Sequence, residues 1–149
     1  MILRDVLEFE EGKRLHVYLD SKGIETVGIG HRVLPEDRLQ IGDCISEARC
    51  QQFFTADIAI AKAEAEEIKT KWIGSQPQEV TDILTCMVFQ MGLRGVITFE
   101  VMLYFLGFRD YKKAAEEMLD SKWHREDSPK RAERMATLMA AVDDKATVC

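Results

Sequence analysis

Glu11 and Asp20 are the residues whose types and surroundings point most directly to chemistry. Leu3, Leu7 and Glu11 follow at i, i+4 and i+8, so a helix sets them on one face. Gly12 falls where the C-terminal cap of that helix belongs. Glu11 then stands at the core edge of a helix end, where desolvation and the negative end of the helix dipole both favour the protonated carboxyl. A carboxyl group kept protonated near neutral pH is a general acid. Asp20 ends an alternating stretch beside a turn, a wetter place that suits an ionised carboxylate. Two carboxylates in unlike environments are what glycoside hydrolysis needs.

The elements around them read as a hairpin. Leu15, Val17 and Leu19 alternate with His16, Tyr18 and Asp20, the period of a strand, and Ser21-Lys22-Gly23 is turn chemistry. Ile24 to Ile29 alternates again, with Thr26, Gly28 and Gly30 on one face and Glu25, Val27 and Ile29 on the other. The glycines beside Thr26 leave room for a substrate backbone to come close. Residue types alone leave a second reading open, in which Glu11 is a solvated helix end and Asp20 a turn residue.

Glu11, Asp20 and the run Thr26-Val27-Gly28-Ile29-Gly30-His31 resemble the catalytic segment of the phage-type lysozymes, the endolysin muramidases of glycoside hydrolase family 24. The resemblance continues in order through Phe54 and Asp57, Met87-Val88-Phe89-Gln90-Met91-Gly92, Ser121-Lys122-Trp123 and Arg131-Ala132, over nearly the whole chain. It implies cleavage of the β-1,4 bond between N-acetylmuramic acid and N-acetylglucosamine in bacterial peptidoglycan, for host cell lysis. Glu11 is then the acid and Asp20 the base on a water that Thr26 helps to hold. That inverting scheme needs the carboxyls roughly 6.5–9.5 Å apart. The resemblance further implies sugar contacts from Arg32, Phe89, Gln90, Met102 and Glu117. It pairs His31 with Asp57, Gln90 with Trp123, and Arg131 with Glu11. Met102 and Glu117 depart from the small polar residue and the asparagine common in the family. The connection before Arg131 is one residue longer than the family pattern. No metal or organic cofactor is implied.

The 149 residues, 46% of them hydrophobic, suffice for one domain with a real core. By resemblance the lobes are roughly 12–57 and 1–11 plus 58–149. The expected class is α+β, mostly α, with a small antiparallel hairpin sheet in an N-terminal lobe joined by a long helix to a helical C-terminal lobe. No run long and apolar enough for a membrane span is expected, and Arg4, Asp5 and Glu8 break any signal-peptide pattern. The expected location is the host cytoplasm until release to the wall, as a monomer without stable membrane insertion. The net charge of −6 and the lack of a basic cluster argue against a nucleic-acid partner. They also set the chain apart from the basic lysozymes that are drawn to an anionic wall. Cys44, Cys50, Cys86 and Cys149 lack metal-ligand spacing, as do His16, His31 and His124, so thiols and no zinc site are expected.

Downstream, Ser46 is an N-cap for an uninterrupted helix to about Trp72, some 40 Å long, with Phe54, Ile58, Ala61 and Ala65 along one stripe. Ser75 and Gln78 stand at capping-box spacing before a central helix that Gly92 ends, with Val80, Leu84, Met87 and Met91 as its stripe. Arg94 to Leu106 and Arg109 to about Lys122 read as two more helices. Ser128-Pro129 opens a last one, with Arg131, Met135, Leu138, Met139 and Val142 on one face. The tail from Asp143 reads as frayed. Two rivals stand beside the hydrolase: a lytic transglycosylase, which needs one carboxyl acid and forms an anhydro-sugar, and a wall-binding module of the same fold without activity.

Overall fold

A computed structural model describes residues 2–142, so the tail from Asp143 and its Cys149 lie outside the described residues. The chain falls into two compact units, the first ending at Ile60 and the second beginning at Ala61.

The first unit opens with helix α1, Leu3–Glu11. Its buried anchor is Leu7, and Gly12 ends it at φ 70°, donating its N–H to the carbonyl of Glu8. Strand β1, Arg14–Leu19, pairs antiparallel with β2, Glu25–Gly28, and β2 pairs with β3, His31–Arg32, in the order β1-β2-β3. The second strand is shorter than its alternation suggests. Gly28 and Gly30 adopt φ of 68° and 67°, so the backbone turns at Ile29 and starts a third strand. Of the three alternating apolar residues of β1, Val17 is buried while Leu15 and Leu19 are exposed. The outer edge of β1 is covered by residues 42–45: Val17 N–H donates to Asp43 O at 2.8 Å and Ile45 N–H to Leu15 O at 2.8 Å. A pairing of this kind leaves no bare strand edge there. Val17, Val27, Ile29, Ile45, Cys50, Phe54 and Ile58 fill the core of this unit with Leu7.

Helix α2, Glu47–Ile68, starts where expected, with the Ser46 hydroxyl accepting from the N–H of Arg49 at 3.0 Å. Phe54, Ile58, Ala61 and Ala65 are all buried along its expected stripe. It closes in a π-helical turn, Lys69–Ile73, sealed by Gly74 N–H to Lys69 O at 2.7 Å.

The second unit is helical: α3 (Gln78–Ile97, broken as expected at Gly92, which has φ 77° and ψ 166°), α4 (Glu100–Gly107), α5 (Tyr111–Leu119) and α6 (Pro129–Ala140), with α5 packed on both α4 and α6. Three local expectations are corrected here. The Ser75–Gln78 capping box does not form; Pro77 is the N-cap, and Gln78 Nε2 donates instead to Asp82 Oδ1 at 2.9 Å within the first turn of the helix. Backbone around Thr98 and Phe99 breaks the expected Arg94–Leu106 helix, Phe99 having φ −80° and ψ 59°. Leu138 is exposed, while Met135 and Met139 carry the buried face of α6. By length and composition alone α3 could cross a membrane, contrary to the expectation that no run qualifies. Its apolarity is that of a central helix: Val80, Ile83, Leu84, Met87 and Val88 are all buried.

Candidate active site

The hairpin turn is built on Asp20. The N–H groups of Lys22 and Ile24 both donate to its Oδ1 at 2.8 Å, while its own N–H donates to Ile24 O at 3.0 Å. An aspartate that satisfies two turn amides is an Asx-type turn residue. Here that role also fixes the carboxylate: both bonds end on one oxygen, and Oδ2 takes neither. The solvated-turn and catalytic readings of Asp20 are therefore compatible.

Thr26 is buried in β2, and its hydroxyl donates to Ile24 O at 2.9 Å. A threonine hydroxyl has one hydrogen. With that hydrogen spent on a carbonyl, the oxygen meets any further partner as an acceptor.

Glu11, half-buried at the end of α1, lies against Gly30. A Cβ at position 30 would stand 2.8 Å from Glu11 Oε2 and 3.0 Å from its Cδ and Cγ. Gly28 is similarly crowded, its missing Cβ aimed at Cys50 Sγ at 3.2 Å. The two glycines thus give room to groups of the chain itself, rather than to a substrate backbone as their spacing suggested.

His31 ties this segment together. Its Nδ1 meets Asp57 Oδ2 and its Nε2 meets Asp37 Oδ2, each at 2.8 Å. The ring stacks on Phe53 with centroids 3.9 Å apart and planes 10° from parallel. Arg49 lies over the other ring of that stack, 5.1 Å from the Phe53 centroid, and donates to Asp37 O at 3.0 Å. Burial pulls the imidazolium pKa down, but the hydrogen bonds and charges of Asp57 and Asp37 outweigh it and the net shift is upward. For Asp37 burial pushes up, yet the N–H of Leu34 and the ring of His31 hold its pKa below the ordinary value. The Asp57 pairing matches the resemblance. Asp37 was missed; the signal for it lay in Leu34-Pro35-Glu36-Asp37, where an acid three residues after Leu34 accepts that N–H at 2.8 Å.

In the second unit Gln90 is held on both sides. Trp123 Nε1 donates to its Oε1 at 3.0 Å, and its Nε2 donates to Ser128 Oγ at 2.9 Å. Phe99 meets Trp123 edge-on at 6.1 Å. The connection into α6 runs through a π-helical turn, Trp123–Asp127, in which Ser128 N–H reaches back to Trp123 O at 2.9 Å. Gln90 thereby spans the two ends of that turn.

Of the other expected site residues, Arg32 is exposed on β3, while Phe89 on α3 and Glu117 on α5 are half-buried. Met102 is fully buried in α4 and is core. Arg131 is half-buried in the first turn of α6. Among the described residues no group of three or more His, Cys, Asp or Glu side chains is placed to hold a metal ion, and Cys44, Cys50 and Cys86 form no disulfide.

A mostly helical chain with a small three-stranded antiparallel sheet and a helical second unit defines the lysozyme-like class. The model of the phage lysozyme family matches residues 8–140, and the chain belongs to that family. It is 26% identical over an alignment of 160 positions to a probable T4-type lysozyme of Dictyostelium discoideum, covering 92% of each protein. It is 25% identical over 114 aligned residues to an endolysin of Salmonella phage P22, covering 76% of this chain and 75% of that one. The pre-baseplate central spike protein of enterobacteria phage T4 is 26% identical over an alignment of 159 positions; the match covers 93% of this chain and 28% of that protein.

Proposed function

We propose that the protein is an endolysin-type muramidase that hydrolyses the β-1,4 bond between N-acetylmuramic acid and N-acetylglucosamine in bacterial peptidoglycan with inversion, acting after release from the host cytoplasm. The observation that carries this is a pair of placed carboxylates beside one hairpin: Glu11 at the end of α1 against Gly30, and Asp20 with one oxygen tied to the turn. Glu11 gives its proton to the leaving glycosidic oxygen as the bond to the anomeric carbon breaks. Asp20 takes a proton from the water that attacks that carbon from the opposite side. The acceptor face of Thr26 suits the second O–H of that water. One O–H to Asp20 and one to Thr26 leave the oxygen lone pairs for the carbon. Arg32, Phe89, Gln90 and Glu117 are assigned to the saccharide, and Met102, fully buried in α4, to the core. No step calls for a metal or cofactor.

The test is the product. Purified peptidoglycan digested by the protein should yield new reducing ends, with the α-anomer formed first. An anhydro-muramic product would assign it to the transglycosylases, and no product would leave a wall-binding module.

A further inference from the structure

The hairpin register places one more group with chemistry beside the carboxylates. Tyr18 on β1 stands directly opposite Thr26 on β2, and directly paired residues point to the same face of a sheet. Asp20 follows Tyr18 at i+2. On the same strand Arg14 lies over the Tyr18 ring, 4.3 Å from its centroid, and His16 lies 6.2 Å from it, centroid to centroid. Tyr18 therefore shares the face that carries Thr26, and Arg14 and His16 border its ring across an irregularity in the pairing between Arg14 and Tyr18. The ring is half-buried and braced by Arg14.

Counting hydrogens at the water site shows what is missing. A water at full tetrahedral coordination has two donors and two lone pairs. Asp20 and Thr26 accept from its two hydrogens. One lone pair faces the anomeric carbon, and the other is open to a donor that would hold the water more tightly. Thr26 cannot be that donor, because its hydrogen is committed to Ile24 O. Asp20, as base, has none. We infer that Tyr18 is a positioning residue whose phenolic O–H holds the second lone pair of the attacking water. The inference rests on the hydrolase reading above. Its donor state is secure: burial raises the phenol pKa, Arg14 lowers it, and the Glu11 and Asp20 charges raise it further, with a net upward shift.

The test uses soluble peptidoglycan fragments and the full chain. Tyr18→Phe keeps the ring under Arg14 and removes the hydroxyl. It should lower kcat by about tenfold or more, the scale of a misplaced reactant, with KM and Tm close to wild type. Tyr18→Leu should lose as much kcat and also lower Tm. A packing role predicts the reverse, with phenylalanine restoring what leucine loses. Tyr18→Phe should also be less than multiplicative with Thr26→Val, because both act on one water. That cycle decides the matter even if the single variant is less stable. A Tyr18→Phe variant with wild-type kcat, or a fully multiplicative cycle, overturns the inference. Glu11→Gln run in parallel separates the two failures: an active Glu11→Gln sinks the hydrolase reading itself, whereas an inactive one beside an unchanged Tyr18→Phe sinks only the role of Tyr18.

Discussion

The carboxylate of Glu11 fills the space that a side chain at Gly30 would occupy, with Oε2 2.8 Å from where the Cβ would stand. Gly30 also has φ 67°, which disfavours any L side chain. Gly30→Ala therefore acts twice. The left-handed backbone costs about 1–2 kcal/mol of stability, and the new methyl drives Glu11 from its position. The expected outcome is a modest fall in Tm with a loss of activity of about 100-fold, the scale of a misplaced catalytic group. Steady-state kinetics beside a thermal melt would show both. If Tm falls and activity per folded molecule does not, Glu11 does not need this seat.

Asp20→Asn separates the two jobs of that side chain. The amide oxygen can still accept from the Lys22 and Ile24 N–H groups, so the turn and the fold should persist. An amide cannot take a proton, so hydrolysis should fall by roughly 100-fold or more. Asp20→Ala should lose activity and also loosen the turn, by about 1 kcal/mol, because the exposed Lys22 and half-buried Ile24 N–H groups lose their acceptor. Near-normal turnover by Asp20→Asn would favour the single-carboxyl transglycosylase route.

His31 faces carboxylates at both ring nitrogens, so both contacts are made as N–H donors only by the doubly protonated ring. With its folded pKa raised, its contribution to stability is fully present below the unfolded value, about 6.5. It is lost as pH rises through the folded value. Asp37 works in the opposite sense. Its depressed pKa gives a contribution present above the unfolded value of about 3.9 and lost as pH falls through the folded one. Both contributions are therefore complete between about pH 3.9 and 6.5. His31→Asn should destabilise by about 3 kcal/mol in that window and by less at alkaline pH, with activity per folded molecule little changed. Denaturant melts of wild type and variant across the pH range supply the difference; a flat difference would rule the clamp out.

How much of this was legible in the sequence depended on how local the cause was. Helix α1, its Gly12 cap, the Asp20 turn and the Phe54 stripe follow from spacing within a few residues, and they stand as read. The His31–Asp57 and Gln90–Trp123 contacts join residues far apart in the chain, and no periodicity points to them; only the family resemblance did. Asp37 lay beyond both, because its role needs the Pro35–Asp37 turn to fold back onto the ring. The glycines of the Thr26 face were legible as close-approach positions. What approaches was not, since Glu11 and Cys50 come from other elements. Phe99 broke a helix that composition alone would have continued, its ring turned toward Trp123.

The Gln90 network makes the last prediction, because it holds the π-helical turn Trp123–Asp127 at both ends. Trp123 Nε1 and Ser128 Oγ stand at the two ends of the π-helical turn, and Gln90 bonds to both. Gln90→Leu keeps much of the volume but leaves the buried Trp123 N–H without its acceptor, a loss of about 1–3 kcal/mol. Ser128→Ala removes one neutral hydrogen bond and should cost about 1 kcal/mol. Because Gln90 serves both partners, the double variant should be no worse than Gln90→Leu alone by more than a few tenths of a kcal/mol. Deleting one residue of 124–127 should convert the turn to a regular one, draw Ser128 away from Gln90, and make Ser128→Ala neutral in that background. Chemical denaturation of the four proteins gives the coupling directly. Additive losses from Gln90→Leu and Ser128→Ala would mean that the two side chains act independently and that the π-helical turn holds itself.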